Sequence, residues 1–203
     1  EQIAMLRTIP GMRVFRPADA NEVAHCWAAA LQERGPVALL LTRQDLDPIA
    51  PELAKNIDVT KGAYILRDEE EFDMIMIATG SEVSLALKSA DQLKEKYNIK
   101  ARVVSMPSME LFFQQDAEYQ EEIIPSWCNF RVSIEAGSTF GWHRVVGSSG
   151  LAIGIDHFGA SAPYKVLAEK FGFTPEAVID KIKNFYGQSG CESSCEGCGG
   201  GCH

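Results

Sequence analysis

Four short apolar runs, at residues 74–78 (MIMIA), 102–106 (RVVSM), 131–135 (RVSIE) and 151–155 (LAIGI), alternate with segments of helical periodicity, and this alternation limits the chain more than any other feature. A run with no polar alternation suits a strand covered on both faces. Between the first two runs, Val83, Ala86, Leu87, Ala90, Leu93 and Tyr97 recur at the spacing of one helix face. Strands separated by crossover helices demand a mostly parallel sheet with helices on both faces, which is an α/β fold.

The first 43 residues carry the same grammar in brief. Residues 1–7 (EQIAMLR) read as helix without a cap residue in front, so polypeptide is expected upstream. Residues 12–15 (MRVF) predict a strand, and Asp19 with Glu22 three residues on predicts a helix start of capping-box type. That helix should bury Val23, Cys26, Trp27, Ala30 and Leu31 and end near Gly35-Pro36, before a strand at 37–42 (VALLLT) buried on both faces. From Gln44 to Phe72 the periodicity fades among Pro48, Pro51 and the acidic run 68–71, as in an interdomain connection. Pro163 opens a helix burying Val166, Leu167 and Phe171; Thr174-Pro175 opens a last one burying Val178, Ile182 and Phe185, with Gly187 as its end. The expected parts are the end of one α/β domain at 1–46, a linker at 47–72, a second domain at 73–187 and a Cys/Gly-rich tail at 188–203.

Charge and composition narrow the function. The net charge is −9 with both signs interspersed, so no basic stripe exists to neutralise nucleic-acid phosphates. No apolar run reaches the roughly 20 residues that span a bilayer, and the amino end lacks a secretory pattern, which predicts a cytoplasmic protein. Cys26 and Cys128, each beside a tryptophan, read as buried free thiols. Cys191, Cys195, Cys198, Cys202 and His203 differ: four thiols and an imidazole in thirteen residues suit zinc, and the first three suit an iron–sulfur cluster. The competing reading is a glycine-rich appendage that binds metal only incidentally.

Among candidate site residues, Arg43 leads. It follows the carboxyl end of the strand at 37–42, where open α/β sheets gather ligands, and a guanidinium there suits a phosphate. Position alone favours an ordinary ion pair at a strand end. Arg16, Asp19 and Glu22 are explained by capping and an interdomain ion pair. Thr79-Gly80-Ser81 is a weak anion-site candidate and more simply a tight turn, since neither GxGxxG nor a Walker lysine is present. His25, His143 and His157 have no nucleophile-and-carboxylate company, and Ser161 lacks a nucleophile-elbow context.

Six stretches in order, IPGMRVFRPADANE (9–22), GPVALLLTRQ (35–44), IATGSEV (77–83), ARVVSMPS (101–108), VSIEAG (132–137) and HFGASAPYKVLAEKFGFT (157–174), together resemble transketolases. The resemblance implies the end of a pyrimidine-binding domain followed by a Rossmann-like carboxyl-terminal domain of a three-domain subunit. It further implies transfer of a two-carbon ketol unit between sugar phosphates, with thiamine diphosphate and a divalent cation such as Mg2+ held by regions that precede Glu1. A homodimer completed by the missing amino-terminal portion is expected, and this chain alone should be inactive. On the same resemblance Thr42-Arg43-Gln44 matches the motif whose arginine holds the substrate phosphate, and no residue here is assigned to catalysis, coenzyme or metal. Other expectations stay open: a non-catalytic interaction module, or a piece of a 2-oxoacid dehydrogenase β subunit, a deoxyxylulose-phosphate synthase or a dihydroxyacetone synthase.

Overall fold

The structure, a computed structural model, describes residues 1–189. Its centre is β4 (Met74–Ala78), all five residues of which are buried. β4 pairs in parallel with β5 (Ala101–Ser105) on one side and β6 (Arg131–Ile134) on the other, and β6 pairs in parallel with β7 (Leu151–Ile153). The edge strand β3 (Tyr64–Arg67) runs antiparallel to β5, giving a five-stranded order β3-β5-β4-β6-β7.

The two-residue period of a strand sorts side chains onto opposite faces. Met74, Met76 and Ala78 join Val83, Ala86, Ala90 and Leu93 of α4 (Glu82–Tyr97) and Val178, Ile179 and Ile182 of α9 (Pro175–Ser189). Ile75 and Ile77 join the other layer, with Met109 and Phe112 of α5 (Met109–Phe112), Ile123 of α6 (Ala117–Ile123) and Val145 of α7 (His143–Val146). Helices therefore cover both faces, as the alternation of runs requires, and α9 begins where Thr174 Oγ1 accepts the Ala177 N–H at 3.3 Å.

The opening segment is a small βαβ unit preceded by α1 (Gln2–Thr8). β1 (Arg13–Phe15) and β2 (Val37–Leu39) pair in parallel across α2 (Ala20–Ala30), in the register Val14↔Ala38. Here several expectations change. β2 stops at Leu39, short of Thr42, and is half-buried instead of covered on both faces, because its sheet has two strands among the described residues. For the same reason only Cys26 of the α2 face is buried, while Trp27 is 50% and Leu31 78% exposed. Residues 47–72 hold α3 (Pro51–Ala54) and the strand β3, whose buried residues Tyr64 and Leu66 alternate with half-buried Ile65 and Arg67. Pro163 takes the cap position of α8 (Tyr164–Phe171), a helix with no buried residue. Gly187 lies inside α9 instead of ending it, and Phe185 is exposed. Cys191, Cys195, Cys198, Cys202 and His203, the expected zinc or iron–sulfur ligands, lie outside the described residues.

Candidate functional site

Strand order reverses between β4 and β6, since the chain leaves β4 for β5 on one side and returns to β6 on the other. The crevice outside the carboxyl ends of those two strands is where open α/β sheets bind ligands. Two turns form it, Thr79-Gly80-Ser81 after β4 and Glu135-Ala136-Gly137 after β6. Arg16, which follows β1, occupies it. Its backbone oxygen accepts from Gly80 N at 2.9 Å and Thr79 Oγ1 at 3.1 Å, and its Nη1 donates to Thr79 O at 3.1 Å and Glu82 Oε2 at 2.6 Å. A Cβ on Gly80 would stand 2.9 Å from Arg16 Cζ, so the glycine is what permits this approach.

A second arginine closes the crevice from α1. Arg7 donates through both Nη atoms to Glu135, at 2.7 and 2.9 Å, and Trp142 Nε1 donates to the same carboxylate at 2.7 Å. Glu135 also lies 3.6 Å from Arg16 Nη1, and Glu82 additionally accepts from Ala136 N at 2.9 Å. Two guanidinium groups and two buried carboxylates thus lock the opening segment onto the second sheet. The ion-pair reading of Arg16 holds; the tight-turn reading of Thr79-Gly80-Ser81 is favoured over an anion site, because Gly80 N–H is given to Arg16 O and the Arg16 guanidinium is neutralised by Glu82.

Glu22 makes a third lock. It is 0% exposed, and it accepts from Ala18 N at 2.6 Å, Tyr64 Oη at 2.6 Å and Ser105 Oγ at 2.5 Å. Asp19 caps α2 through the Glu22 N–H at 2.8 Å, as its spacing predicts. The Glu22 carboxylate reaches back one residue further than a capping box, to Ala18, and otherwise faces β3 and β5. Burial pushes its carboxyl above the ordinary 4.5, outweighing the three donors that favour the charged form, and the neighbouring Asp19 charge adds to the rise. Burial first, then the Glu22 charge, likewise pushes the Tyr64 phenol and the Cys26 thiol up, so both stay protonated.

A raised carboxyl binds its proton more tightly when folded. Its contribution to stability is therefore present below the unfolded value near 4.5 and is lost as pH rises through the folded value. Glu22→Gln removes the titration, so whatever the fixed offset between the two proteins, wild type should lose ground to the variant as pH climbs from 4.5. Urea unfolding of both at pH 5 and pH 7.5 measures this; a difference that is flat or grows with pH refutes it.

Arg43 stands apart from these locks. It is exposed and has no hydrogen bond or ion pair among the described residues. Its neighbours Leu41, Thr42 and Gln44 line a cleft of about 440 Å³ with Arg16, Ser81, Glu82, Tyr164 and Phe173. His25 and His143 are exposed, and His157 Nδ1 lies 2.9 Å from Phe158 O, so the three histidines share no site. Among the described residues no group of three or more His, Cys, Asp or Glu is placed to hold a metal ion, and the donors at the switch point, Gly80 N–H and the Arg16 guanidinium, are spent on Arg16 O and on Glu82, so these residues do not fit a diphosphate and its cation. Arg7, Glu82, Glu135, Tyr64 and Ser105 are the residues that sequence reading left without a role. A carboxylate ending an apolar strand, as Glu135 does, was the one available signal.

Comparison with known proteins agrees with this architecture. Residues 62–174 match the family model of the transketolase-like C-terminal domain, and residues 1–48 match that of the transketolase pyrimidine-binding domain. A plasmid-borne transketolase of Cupriavidus necator is 48% identical over 179 residues, covering 88% of this chain and 26% of the relative; that of Aquifex aeolicus is 48% identical over 185, covering 90% and 27%. The chain therefore spans about a quarter of the length of these curated relatives. Transketolase from Leishmania mexicana superposes with a TM-score of 0.83 at 36% identity, over 93% of this chain and 27% of that one. A split-gene transketolase described as an inactive β4 tetramer gives 0.75 at 26% identity, over 91% of this chain and 61% of that one. With a family model over more than half its length, near-half identity to the relatives and this superposition, the chain belongs to the transketolase family.

Proposed function

We propose that this chain is the carboxyl-terminal part of a transketolase that moves a two-carbon ketol unit between sugar phosphates, and that Arg43 grips the substrate phosphate. Thiamine diphosphate and its divalent cation supply the carbanion chemistry when bound, and other polypeptide holds them. The part boundaries we infer are 1–46 for the end of the pyrimidine-binding domain, 47–72 for the connection, whose strand β3 adds to the edge of the second sheet, and 73–187 for the carboxyl-terminal domain. A cytoplasmic homodimer, completed by the amino-terminal portion, is the working assembly. Cys191, Cys195, Cys198, Cys202 and His203 remain the candidate metal ligands of the tail, to be tested by metal analysis of the chain with and without residues 188–203.

One observation carries the Arg43 reading. Within residues 1–48, Arg7, Arg13 and Arg16 are each held by a carboxylate, whereas Arg43 keeps its donors free past the carboxyl end of β2. Arg34, also without a partner among the described residues, lies before β2 at the opposite end of the strand. A free planar fork of donors is suited to a bidentate phosphate. Solved relatives are described as complexes with fructose 6-phosphate and sedoheptulose 7-phosphate, so substrates of that class are the natural probes.

In the enzyme assembled with its coenzyme-bearing portion, Arg43→Ala should raise KM for fructose 6-phosphate about 10- to 100-fold, the loss of a charge-assisted contact worth roughly 1.5–3 kcal/mol. The KM for hydroxypyruvate, which has no phosphate, should hold. An equal rise for both substrates sinks the phosphate role.

A non-catalytic module is the second reading, and the split-gene relative favours it. Failure of the assembled mixture to show any transketolase activity would select it.

A further inference from the structure

Between β2 and α3 the chain runs through residues 40–49, and Arg43 sits in the middle with no described residue bonded to its side chain. The run is fixed at its two ends. Leu40 N donates to Phe15 O at 2.8 Å, which continues the β1–β2 ladder. Ile49 N donates to Asp19 Oδ2 at 2.8 Å. Between those points the described hydrogen bonding within the run is a long contact of 3.4 Å from Thr42 Oγ1 to Gln44 O.

Asp19 therefore has two jobs, one per oxygen. Oδ1 accepts the Glu22 N–H and caps α2; Oδ2 accepts the Ile49 N–H and also Asn21 Nδ2 at 3.2 Å. The carboxylate is 4% exposed and Ile49 8%, so water competes poorly for this latch. A cleft of about 260 Å³ separates the two sides, with Asp19, Ala20 and Val23 facing Leu41, Thr42, Gln44 and Leu46, so residues 41–46 are not packed against α2, while the Ile49 side chain at the end of the run is buried in the core. The Phe15 tie is backbone to backbone; at the other end core burial of Ile49 holds its side chain and Asp19 holds its N–H, which fixes the backbone orientation from which the run departs.

We infer that Asp19 is a positioning residue for substrate phosphate, acting through the Ile49 N–H to hold the run that presents Arg43. The inference rests on the proposed role of Arg43 and adds to it a residue whose sequence signature explains only a helix cap. A helix cap needs one oxygen and the latch needs the second, and substitution separates them. Asparagine caps as well as aspartate, but with its oxygen on Glu22 N it turns an NH2 toward Ile49 N. Serine also caps and has no second acceptor.

The test compares Asp19→Asn, Asp19→Ser and Arg43→Ala in the assembled enzyme, with fructose 6-phosphate and hydroxypyruvate as substrates. Both Asp19 variants should raise KM for the phosphorylated substrate roughly tenfold, less than the about hundredfold loss that a misplacement of about 1 Å brings. Their kcat, and their KM for hydroxypyruvate, should stay within about twofold. Residue-resolved amide hydrogen exchange gives a second readout: the Ile49 amide should exchange about tenfold faster while α2 keeps its protection. If Arg43→Ala is phosphate-selective and the Asp19 variants are not, the latch falls and the site stands. Loss of selectivity in Arg43→Ala itself brings down both. Unchanged exchange of the Ile49 amide, or an equal KM rise for both substrates, reduces Asp19 to a structural cap and overturns the inference.

Discussion

Glu135→Ala should cost about 3–5 kcal/mol of folding stability, the range for stripping one partner from a buried ion pair. The carboxylate is 1% exposed and serves Arg7 twice and Trp142 once. Its removal leaves the Arg7 guanidinium over the Trp142 ring with Glu110, at 3.9 Å, as its remaining carboxylate among the described residues, and leaves a buried indole N–H without its acceptor. In a chain of this length about 2–4 °C of melting temperature accompanies each kcal/mol, so the midpoint should fall by roughly 6–20 °C. Glu135→Gln keeps an acceptor and the volume and should lose less than the alanine variant. Because Arg7 belongs to α1, hydrogen exchange should show α1 released before β4 opens. A fall of under about 2 °C for the alanine variant would mean that water screens the pair, and the lock described here would not be one.

Gly62→Ala is the second large effect. The residue has φ +85, and a Cβ would stand 2.3 Å from both Phe112 N and Ser108 O and 2.7 Å from Leu111 Cβ. Two of these neighbours are backbone, held in place because Ser108 N donates to Gly62 O at 2.9 Å. Left-handed strain of about 1–2 kcal/mol and overpacking of about 1–3 kcal/mol together give about 2–5 kcal/mol. The damage should concentrate where β3 and α5 meet, so urea unfolding should show a lowered midpoint and Tyr64 amide protection should fall. A variant with wild-type midpoint and protection would show that the 59–62 turn moves freely, contrary to its fit against α5.

The second sheet was legible in the sequence because burial on both faces writes itself as uninterrupted apolar runs. Residues 74–78 coincide with β4, and the other three runs overlap β5, β6 and β7 to within one or two residues at their ends. β3 was not legible. Its YILR is four residues at an edge, half of them half-buried, and the acidic residues that follow look like a connection. Trp27 and Leu31 misled for a different reason: periodicity reports that a face is apolar, and only the surroundings decide whether anything covers it. Of the site, Arg16, Asp19 and Glu22 were found by local spacing. Their partners Glu82, Glu135, Tyr64 and Ser105 lie 42 to 119 positions along the chain, a separation that no local pattern reports. Both Glu82 and Glu135 lie inside stretches that resemble transketolases, so resemblance marked the segments without disclosing the task.

The arginine seated on Gly80 changes what kind of object the second sheet is. A fold of this shape keeps its cradle at the point of strand reversal for visitors, and here a permanent resident from the same polypeptide has moved in. Any nucleotide or small anion arriving there meets two carboxylates, Glu82 and Glu135, that already neutralise the arginine, and a Gly80 N–H already given to Arg16 O, so the sheet serves as a mooring and not as a receptor.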